Sequence, residues 1–428
     1  MRKLIFKKVF KRDFVRNIFT LLSGTVLAQA ITLGMLPIVT RIYSPEEYGV
    51  FTIFVSVSSM VAIISTGRYE IAILLPKKER HVYNLVFLSF IILISITLIV
   101  AMGTSVVDLI SDLLSNVDFS ELFYLLPFTV FSYGCYQILF FIKNREKKYK
   151  QMAISRMNQS LVNGVSSVLL GLIGLGATGL VIGYTLSFFI PAMYLFINKE
   201  KSFMRGLKKE VSKLLIKRNL IKYREMPIYN SLHAFLDMAM INVTLLIISY
   251  SFGAGVVAFY GFTIRVLKAP LGLIGFSISR VYNQRASEKI NQGENITSLL
   301  LNIVTKLSMV AAPIFICISI FGSEIFSFIF GIEWAEAGVY AQILSPWLFF
   351  NFIGSPIAQT FVLLQKQKQA FYYSAVQTSV FLGAVFVSSF TSEILFMLKV
   401  ISFVGSLLTI IFGMWIYSIT LNNNNNNR

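Results

Sequence analysis

The sequence predicts an all-α integral membrane protein in which about twelve transmembrane helices form two six-helix bundles. Of the 428 residues, 56% are hydrophobic and only 14% are charged, whereas soluble domains carry roughly 25% charged residues. Twelve runs of mostly apolar residues follow one another along the chain, each close to the length of about 20 residues that crosses a bilayer. The basic residues lie between these runs, which indicates membrane topology rather than a nucleic-acid-binding face.

The first six runs predict an N-terminal bundle over residues 1–197. A basic segment precedes the first run, which is long and lacks an Ala-x-Ala cleavage site, so we expect it to be retained as a spanning helix. These six spans are predicted at residues 18–40, 48–75, 83–104, 121–142, 157–175 and 178–197.

Six more runs predict a C-terminal bundle over residues 227–421, after a basic cytoplasmic linker at 198–226. Within the linker, residues 208–220 are expected to form an amphipathic helix on anionic lipid. Residues 422–428 form a polar, Asn-rich tail. The six spans are predicted at residues 227–250, 256–279, 298–321, 339–364, 371–390 and 394–419.

Charge distribution gives the orientation. With the N-terminus in the cytoplasm, 32 of the 38 lysines and arginines lie on the inner side, and the outer loops carry mainly acidic residues. The positive-inside rule is therefore satisfied along the whole chain. We expect a multi-pass protein of the inner, cytoplasmic membrane with both termini in the cytoplasm.

Charged residues inside the spans are the candidate functional residues, because each costs about 2.5–3.5 kcal/mol at the centre of a helix unless it faces water or a partner. Asp237 and Arg265 lie near the midplane, and Lys268 shares a helix face with Arg265. These three are predicted to face a watery cavity, although Asp237 and Arg265 could instead neutralise each other. The seven charges are Arg68, Glu70, Asp237, Arg265, Lys268, Lys306 and Lys399.

Two further interpretations stay open. Arg68, Lys306 and Lys399 are close enough to a membrane face for their side chains to snorkel. His233 precedes Asp237 by four residues, so the two form either a proton-coupling pair or a packing contact.

Several kinds of chemistry leave no trace in the sequence. Cys135 and Cys317 both lie in apolar runs, no metal-ligand spacing is present, and no phosphate-binding loop for ATP occurs. We therefore expect neither a metal nor a cofactor. A membrane enzyme such as a polymerase or glycosyltransferase would be expected to have a larger outer loop or an acidic catalytic motif, so the protein is predicted not to be an enzyme.

Four stretches stand out from the apolar background: PIVTRIYSPEEYGVF at 37–51, GRYEIAI at 67–73, YGFTIRVLKAP at 260–270 and GIEWAEAGVYAQILSPW at 331–347. They resemble the corresponding regions of bacterial polysaccharide flippases, the O-antigen and capsule repeat-unit translocases of the multidrug/oligosaccharidyl-lipid/polysaccharide exporter superfamily. The last stretch is the most specific, because its order of Trp, Ala-Gly and Ser-Pro-Trp is hard to reach by chance. The resemblance implies two bundles around a central cavity.

The resemblance also implies a substrate, an oligosaccharide on undecaprenyl pyrophosphate that moves from the cytoplasmic to the outer leaflet for O-antigen or capsule assembly. Membrane lipids, a polymerase and glycosyltransferases would be its partners, and nucleic acid would not. The anionic pyrophosphate would be held by basic side chains, and ion coupling would use titratable ones. The residues expected in these two roles are Arg265, Lys268, Arg68 and Lys306 for the pyrophosphate, and Asp237, Glu70 and His233 for coupling.

Sugar contacts are harder to assign from sequence, because the inward faces of the helices are unknown. Polar and aromatic candidates are Gln29, Tyr69, Asn230, Gln359 and Tyr372. The alternative function is an ion-coupled antiporter of drugs or organic cations from the same superfamily. Such an antiporter should prefer an acidic cavity, whereas five of the seven intramembrane charges here are basic.

Overall fold

The computed structural model describes residue 20 and residues 23–114, 120–198, 201–364, 366–391 and 393–425. These residues form helices joined by turns, with no strand among them, which confirms the predicted all-α class. The predicted basic N-terminal segment, up to Arg16, lies outside the described residues, as do the last three residues of the predicted 422–428 tail.

Each of the twelve predicted spans contains a helix, but several spans are interrupted and others extend further than predicted. In chain order the helices are α1 Ser23–Val39, α2 Pro45–Ile64, α3 Tyr69–Ala72, α4 Glu79–Leu114, α5 Ser120–Phe123, α6 Leu126–Arg145, α7 Tyr149–Leu172, α8 Gly176–Ile197, α9 Lys201–Glu210, α10 Lys213–Lys222, a π-helical turn Met226–Asn230, α11 Ser231–Phe252, α12 Ala254–Asn291, α13 Thr297–Phe330, a 3-10 turn Ile332–Trp334, α14 Ala335–Ile357, α15 Thr360–Leu363, α16 Gln367–Ser388 and α17 Ile394–Asn425.

Eight stretches of helix in the described residues are long and apolar enough to cross a membrane, and α1 is a shorter apolar helix. The eight are Pro45–Ile64, Glu79–Thr104, Gly176–Ile197, Ala234–Phe252, Ala254–Gly272, Thr297–Phe330, Lys368–Ser388 and Ile394–Leu421.

Helix α12 is longer than a membrane crossing requires. Its 38 residues extend over about 57 Å at the usual rise per residue, nearly twice the hydrocarbon thickness of about 30 Å. The extension is packed rather than frayed: the Tyr282 hydroxyl is 2.7 Å from that of Thr360, and Ala286 is buried against Ile296 and Leu300. The α12–α13 pair therefore ends in a structured tip, where Gly293 takes a positive φ in an exposed turn.

The helices belong to two compact units, of which the first comprises Met1–Tyr43 and Val50–Met238. In it α8 packs against α6 and α7, and α6 packs against α4. Aromatic rings fill its core, where Phe188 contacts Tyr133, Tyr136 and Tyr184 edge-on or tilted at centroid distances of 5.1 to 6.3 Å.

The predicted linker is part of this first unit, since α9 and α10 both pack on α4. At their junction the Asn84 side chain donates to the Glu210 carbonyl (2.8 Å) and accepts from the Ser212 amide (2.9 Å). The prediction of one amphipathic helix over 208–220 is therefore wrong. At this junction the hydrogen bonds to Asn84 replace backbone bonds of a continuous helix, so the segment forms two helices.

The second unit comprises Ser44–Gly49 and Ala239–Arg428. Helix α14 lies at its centre and packs against α12, α13 and α17. Gly322 of α13 and Gly338 of α14 let the two backbones approach so closely that a Cβ on either would overlap the other's carbonyl. The segment Ser44–Gly49 starts α2 with a capping box, in which the Ser44 amide donates to the Glu47 carboxylate at 2.9 Å. It joins this unit through Gly49, where an added Cβ would overlap the Ala254 carbonyl.

Candidate functional site

The second predicted span, 48–75, is broken in its middle. Helix α2 ends at Ile64, and Gly67 and Arg68 both adopt φ of 59° before α3 begins at Tyr69. Glycine takes this left-handed conformation without steric cost, whereas a residue with a Cβ loses roughly 1–2 kcal/mol there. The conformation of Arg68 must therefore be held by its contacts.

A second irregular segment provides one of those contacts. The Arg68 Nε donates to the Asn230 Oδ1 at 3.1 Å, and Asn230 ends the π-helical turn that begins at Met226 and contains Pro227. Short helix α3 packs directly against this turn. Two interrupted stretches of backbone thus meet within the first unit, an arrangement from which transporters build binding sites.

Glu70 is the buried countercharge of Arg68. Its carboxylate accepts a hydrogen bond from the Thr66 hydroxyl and lies 3.9 Å from the Arg68 Nη1. The Glu70 side chain is 3% exposed and that of Arg68 is 24% exposed. Of the two charges, the cation is therefore the one that a ligand can reach.

Tyr69, the residue that follows Arg68, attaches the break to helix α10. Its hydroxyl donates to the Leu220 carbonyl of α10 at 3.1 Å. Helix α10 and the π-helical turn, which follow one another in sequence, therefore contact two successive residues of the break. Tyr69 and Asn230, both candidates for sugar contact by sequence, form hydrogen bonds within the protein.

Arg265 lies in the second unit, on α12, beside a cluster of aromatic rings. Its Nη1 donates to the Tyr48 hydroxyl at 3.0 Å. Tyr48 is buried and contacts Phe262 and Trp334 edge-on, at centroid distances of 5.6 and 5.3 Å. Three of the stretches that resemble polysaccharide flippases, at 37–51, 260–270 and 331–347, therefore meet here, and they orient the guanidinium.

Lys268, one helical turn further along α12, is placed by the other tryptophan of that last stretch. Its Nζ lies 4.9 Å from the ring centre of Trp347, within the range of a cation–π interaction. The Trp347 side chain is buried against Phe381 and Gly405. Arg265 and Lys268 are both partly exposed. Each cation is therefore positioned by an aromatic side chain and still has part of its surface accessible.

The remaining predicted residues are placed separately. Lys306 is exposed on α13, and Asp237 is exposed on α11. His233 lies on α11 as well, but its side chain is outside the part of the chain that the structure describes. Asp237 belongs to the first unit, whereas Arg265 and Lys268 belong to the second, so their predicted cluster stays a prediction.

The sequence contained signals for some of the partners that were not predicted. A Gly-Arg pair inside an apolar run indicates an interrupted helix, and Tyr48 and Trp347 both lie in the resembling stretches. Thr66 gave no signal, because a threonine in a membrane helix is ordinary. Among the described residues, no group of three or more His, Cys, Asp or Glu is arranged to hold a metal ion.

Residues 38–339 match the family model described as "Polysaccharide biosynthesis protein". The chain belongs to this family. The match includes the broken span, Arg265 and Lys268, and it confirms the resemblance on which the sequence-based identification relied. No curated protein sequence matches this polysaccharide biosynthesis protein.

Solved structures show the same fold at low sequence identity. An inward-facing multidrug resistance MATE family transporter of the MOP superfamily aligns with a TM-score of 0.69 and 14% identity, over 94% of this chain and 95% of its own. The lipid II flippase MurJ, in an inward closed conformation, aligns with a TM-score of 0.71 and 12% identity, over 94% and 90%. A MOP superfamily transporter from Pyrococcus furiosus aligns with a TM-score of 0.59 and 12% identity, over 96% and 95%. This polysaccharide biosynthesis protein is thus a multi-pass membrane protein with a transporter fold.

Proposed function

We propose that this protein is a flippase, which moves an oligosaccharide linked to undecaprenyl pyrophosphate from the cytoplasmic to the outer leaflet for O-antigen or capsule assembly. One observation carries the proposal: Arg68, Arg265 and Lys268 lie in apolar predicted spans, Arg68 at the break before α3 and the other two on α12. All three are partly exposed, and each is placed by a neighbouring side chain. Basic side chains at membrane depth are costly unless they serve a ligand, an ion or water. A doubly charged pyrophosphate is a ligand of the charge that such cations would bind.

Each cation has capacity left for such an anion. Arg265 donates one N–H to Tyr48, and Arg68 donates its Nε–H to Asn230. A guanidinium has five N–H donors and suits bidentate binding of phosphate oxygens, so both arginines have donors left. Lys268 adds a compact charge above an aromatic ring. Lys306 is proposed as a fourth contact. The lipid tail of the carrier would remain in the bilayer throughout.

Ion coupling is proposed through Glu70, Asp237 and His233. Glu70 has the clearest structural link to a cation, because its carboxylate lies beside Arg68. Protonation of Glu70 would remove the countercharge and leave Arg68 free to bind an anion. The proposal places the protein in the cytoplasmic membrane with both termini inside. Glycosyltransferases would supply its substrate and a polymerase would consume its product.

The test is the pool of lipid-linked sugar in a strain that lacks the gene. We expect undecaprenyl pyrophosphate oligosaccharide to accumulate while surface polysaccharide disappears, and the wild-type gene to restore both. Arg265→Ala should restore less than about a tenth of the polysaccharide at normal protein level, because a hydrogen bond to a charged group contributes about 1.5–3 kcal/mol. Lys399→Ala, a change at an exposed intramembrane lysine, is the matched control and should restore both fully.

The alternative function, an ion-coupled antiporter of drugs or organic cations, predicts a different result in the same strain. Its supporting observation is the fold shared with a multidrug resistance transporter. Unchanged lipid-linked sugar together with altered drug sensitivity would favour the antiporter and contradict the flippase. Full restoration by Arg265→Ala would leave the flippase in place and contradict the role given to Arg265.

A further inference from the structure

We propose that the outward face of α10 is a preformed docking surface for the anionic phospholipid headgroups of the membrane. This face, here called the α10 stripe, is formed by two bulky apolar residues and three cations. They are Leu214, Lys217, Arg218, Ile221 and Lys222. The inference does not depend on the proposed function, since it concerns the lipid of the membrane and not the lipid that is transported.

The spacing of the α10 stripe places its members on one side of the helix. The five positions follow the pattern i, i+3, i+4, i+7 and i+8, which defines a single helical face. Leu214 is 77% exposed and Ile221 is 55% exposed, while the three cations are exposed as well. Large apolar side chains between basic ones are typical of helices that lie in the headgroup region of a membrane.

The opposite face of α10 fixes the rotation of the helix. Asn219 is fully buried and forms two bonds with one residue: its Nδ2 donates to the His81 carbonyl at 3.1 Å, and its Oδ1 lies 3.0 Å from the His81 Nδ1. The Leu220 carbonyl accepts from Tyr69, and Asn84 holds the N-terminal junction. With both ends and the middle bonded, the α10 stripe must face outward.

The same bonds place α10 at the edge of the bilayer. His81 and Asn84 lie in the first turns of α4, and the stretch of α4 that is long and apolar enough to cross a membrane begins at Glu79. A helix attached to those turns lies at the level of the headgroups. The predicted orientation puts this level in the cytoplasmic leaflet, whose anionic lipids attract each nearby lysine or arginine. Charge and depth therefore both favour a lipid surface over a soluble acidic partner.

The experiment follows an environment-sensitive fluorophore on the α10 stripe. In a chain carrying Cys135→Ala and Cys317→Ala, NBD is attached at Ile221→Cys, and the protein is reconstituted into vesicles of phosphatidylcholine with or without phosphatidylglycerol. Lipids brominated in the acyl chain serve as quenchers. The matched control is NBD at Gln292→Cys, in the exposed turn at the α12–α13 tip.

We expect quenching at position 221 to exceed that at position 292 by at least twofold, and to increase when phosphatidylglycerol is present. The double change Lys217→Glu and Arg218→Glu should abolish the increase. Because both side chains are exposed, the variant should fold, which elution as a single peak in size-exclusion chromatography would verify. Equal quenching at 221 and 292, or quenching at 221 that ignores phosphatidylglycerol, would overturn the proposal.

Discussion

At Arg68 the chain accepts two unfavourable features at once, a positive φ on a residue with a Cβ and a cation in an apolar segment. Backbone strain of this kind persists only where surrounding contacts hold it, and it is concentrated at functional sites. Here the contacts are the Asn230 amide and the Glu70 carboxylate. The Asn230 bond is the one that can be removed without removing a charge, so it tests whether the orientation of Arg68 matters.

Asn230→Leu should reduce surface polysaccharide roughly tenfold or more in the complemented deletion strain. Leucine has nearly the size of asparagine but offers Arg68 no acceptor, and a hydrogen bond to a charged group contributes about 1.5–3 kcal/mol. Asn230→Gln keeps a neutral amide acceptor on a side chain one methylene longer, and it should restore most of the polysaccharide. Protein levels in the membrane, measured by immunoblot, must be equal for the comparison.

The two variants also separate orientation from folding. If Asn230→Leu and Asn230→Gln are equally defective at normal protein level, the acceptor is not the reason for the defect. If Asn230→Leu supports wild-type levels of polysaccharide, the Arg68–Asn230 bond has no role in transport.

Among the elements, the long helices were predicted from the sequence and their interruptions were not. All twelve spans contain helices because apolar runs of the required length have few alternatives in a bilayer. The break at Gly67 and the π-helical turn at Met226–Asn230 are only four or five residues long, so a hydrophobicity average over about 20 residues does not detect them. Likewise, the linker divides between α9 and α10 because of Asn84, a residue more than 120 positions away in sequence.

The candidate site was predictable in its charges but not in their partners. Arg265 and Lys268 were identified because each is a charged residue inside a predicted apolar span. The partners Tyr48 and Trp347 are 217 and 79 positions away in sequence, and no periodicity within one helix relates them to the cations. Tertiary packing alone determines these pairs.

The crossing of α13 and α14 provides a stability test for a whole element. Gly338→Ala would place a Cβ against the Gly322 carbonyl, and overpacking of this kind costs about 1–3 kcal/mol. We expect a clear fall in the melting temperature of the detergent-purified protein. Gly383→Ala, within α16 at a position where a Cβ meets no atom within 4 Å, should leave the melting temperature unchanged or raise it. Equal melting temperatures for the two variants would show that the close approach of α13 and α14 does not contribute to stability.

For the whole molecule, the described residues include helices long and apolar enough to cross a membrane, and the charge distribution predicts their direction. This direction is the simplest property of the whole molecule to test. Its strongest support is the difference between the acidic outer loops and the basic inner segments, among which the linker alone holds ten lysines and arginines. Because α9 and α10 are docked on α4, this largest basic segment cannot be on the opposite side from the start of α4.

Cysteine labelling in spheroplasts should show this direction. In a chain carrying Cys135→Ala and Cys317→Ala, a membrane-impermeant maleimide should label Glu333→Cys, which is exposed in the 3-10 turn before α14. Lys209→Cys, exposed on α9, should be labelled only after the membrane is permeabilised. The reverse pattern would invert the orientation and, with it, the proposed direction of transport.

The structured tip of α12 and α13 has a practical consequence for imaging this small membrane protein. A folded marker domain inserted between Gln292 and Gly293 would sit on an exposed turn, where insertions are best tolerated. The helix ends next to the turn are packed through the Tyr282–Thr360 contact and the buried Ile296 and Leu300. A marker anchored there would move rigidly with the second unit, and it would give electron microscopy the fixed feature outside the detergent micelle that particle alignment requires.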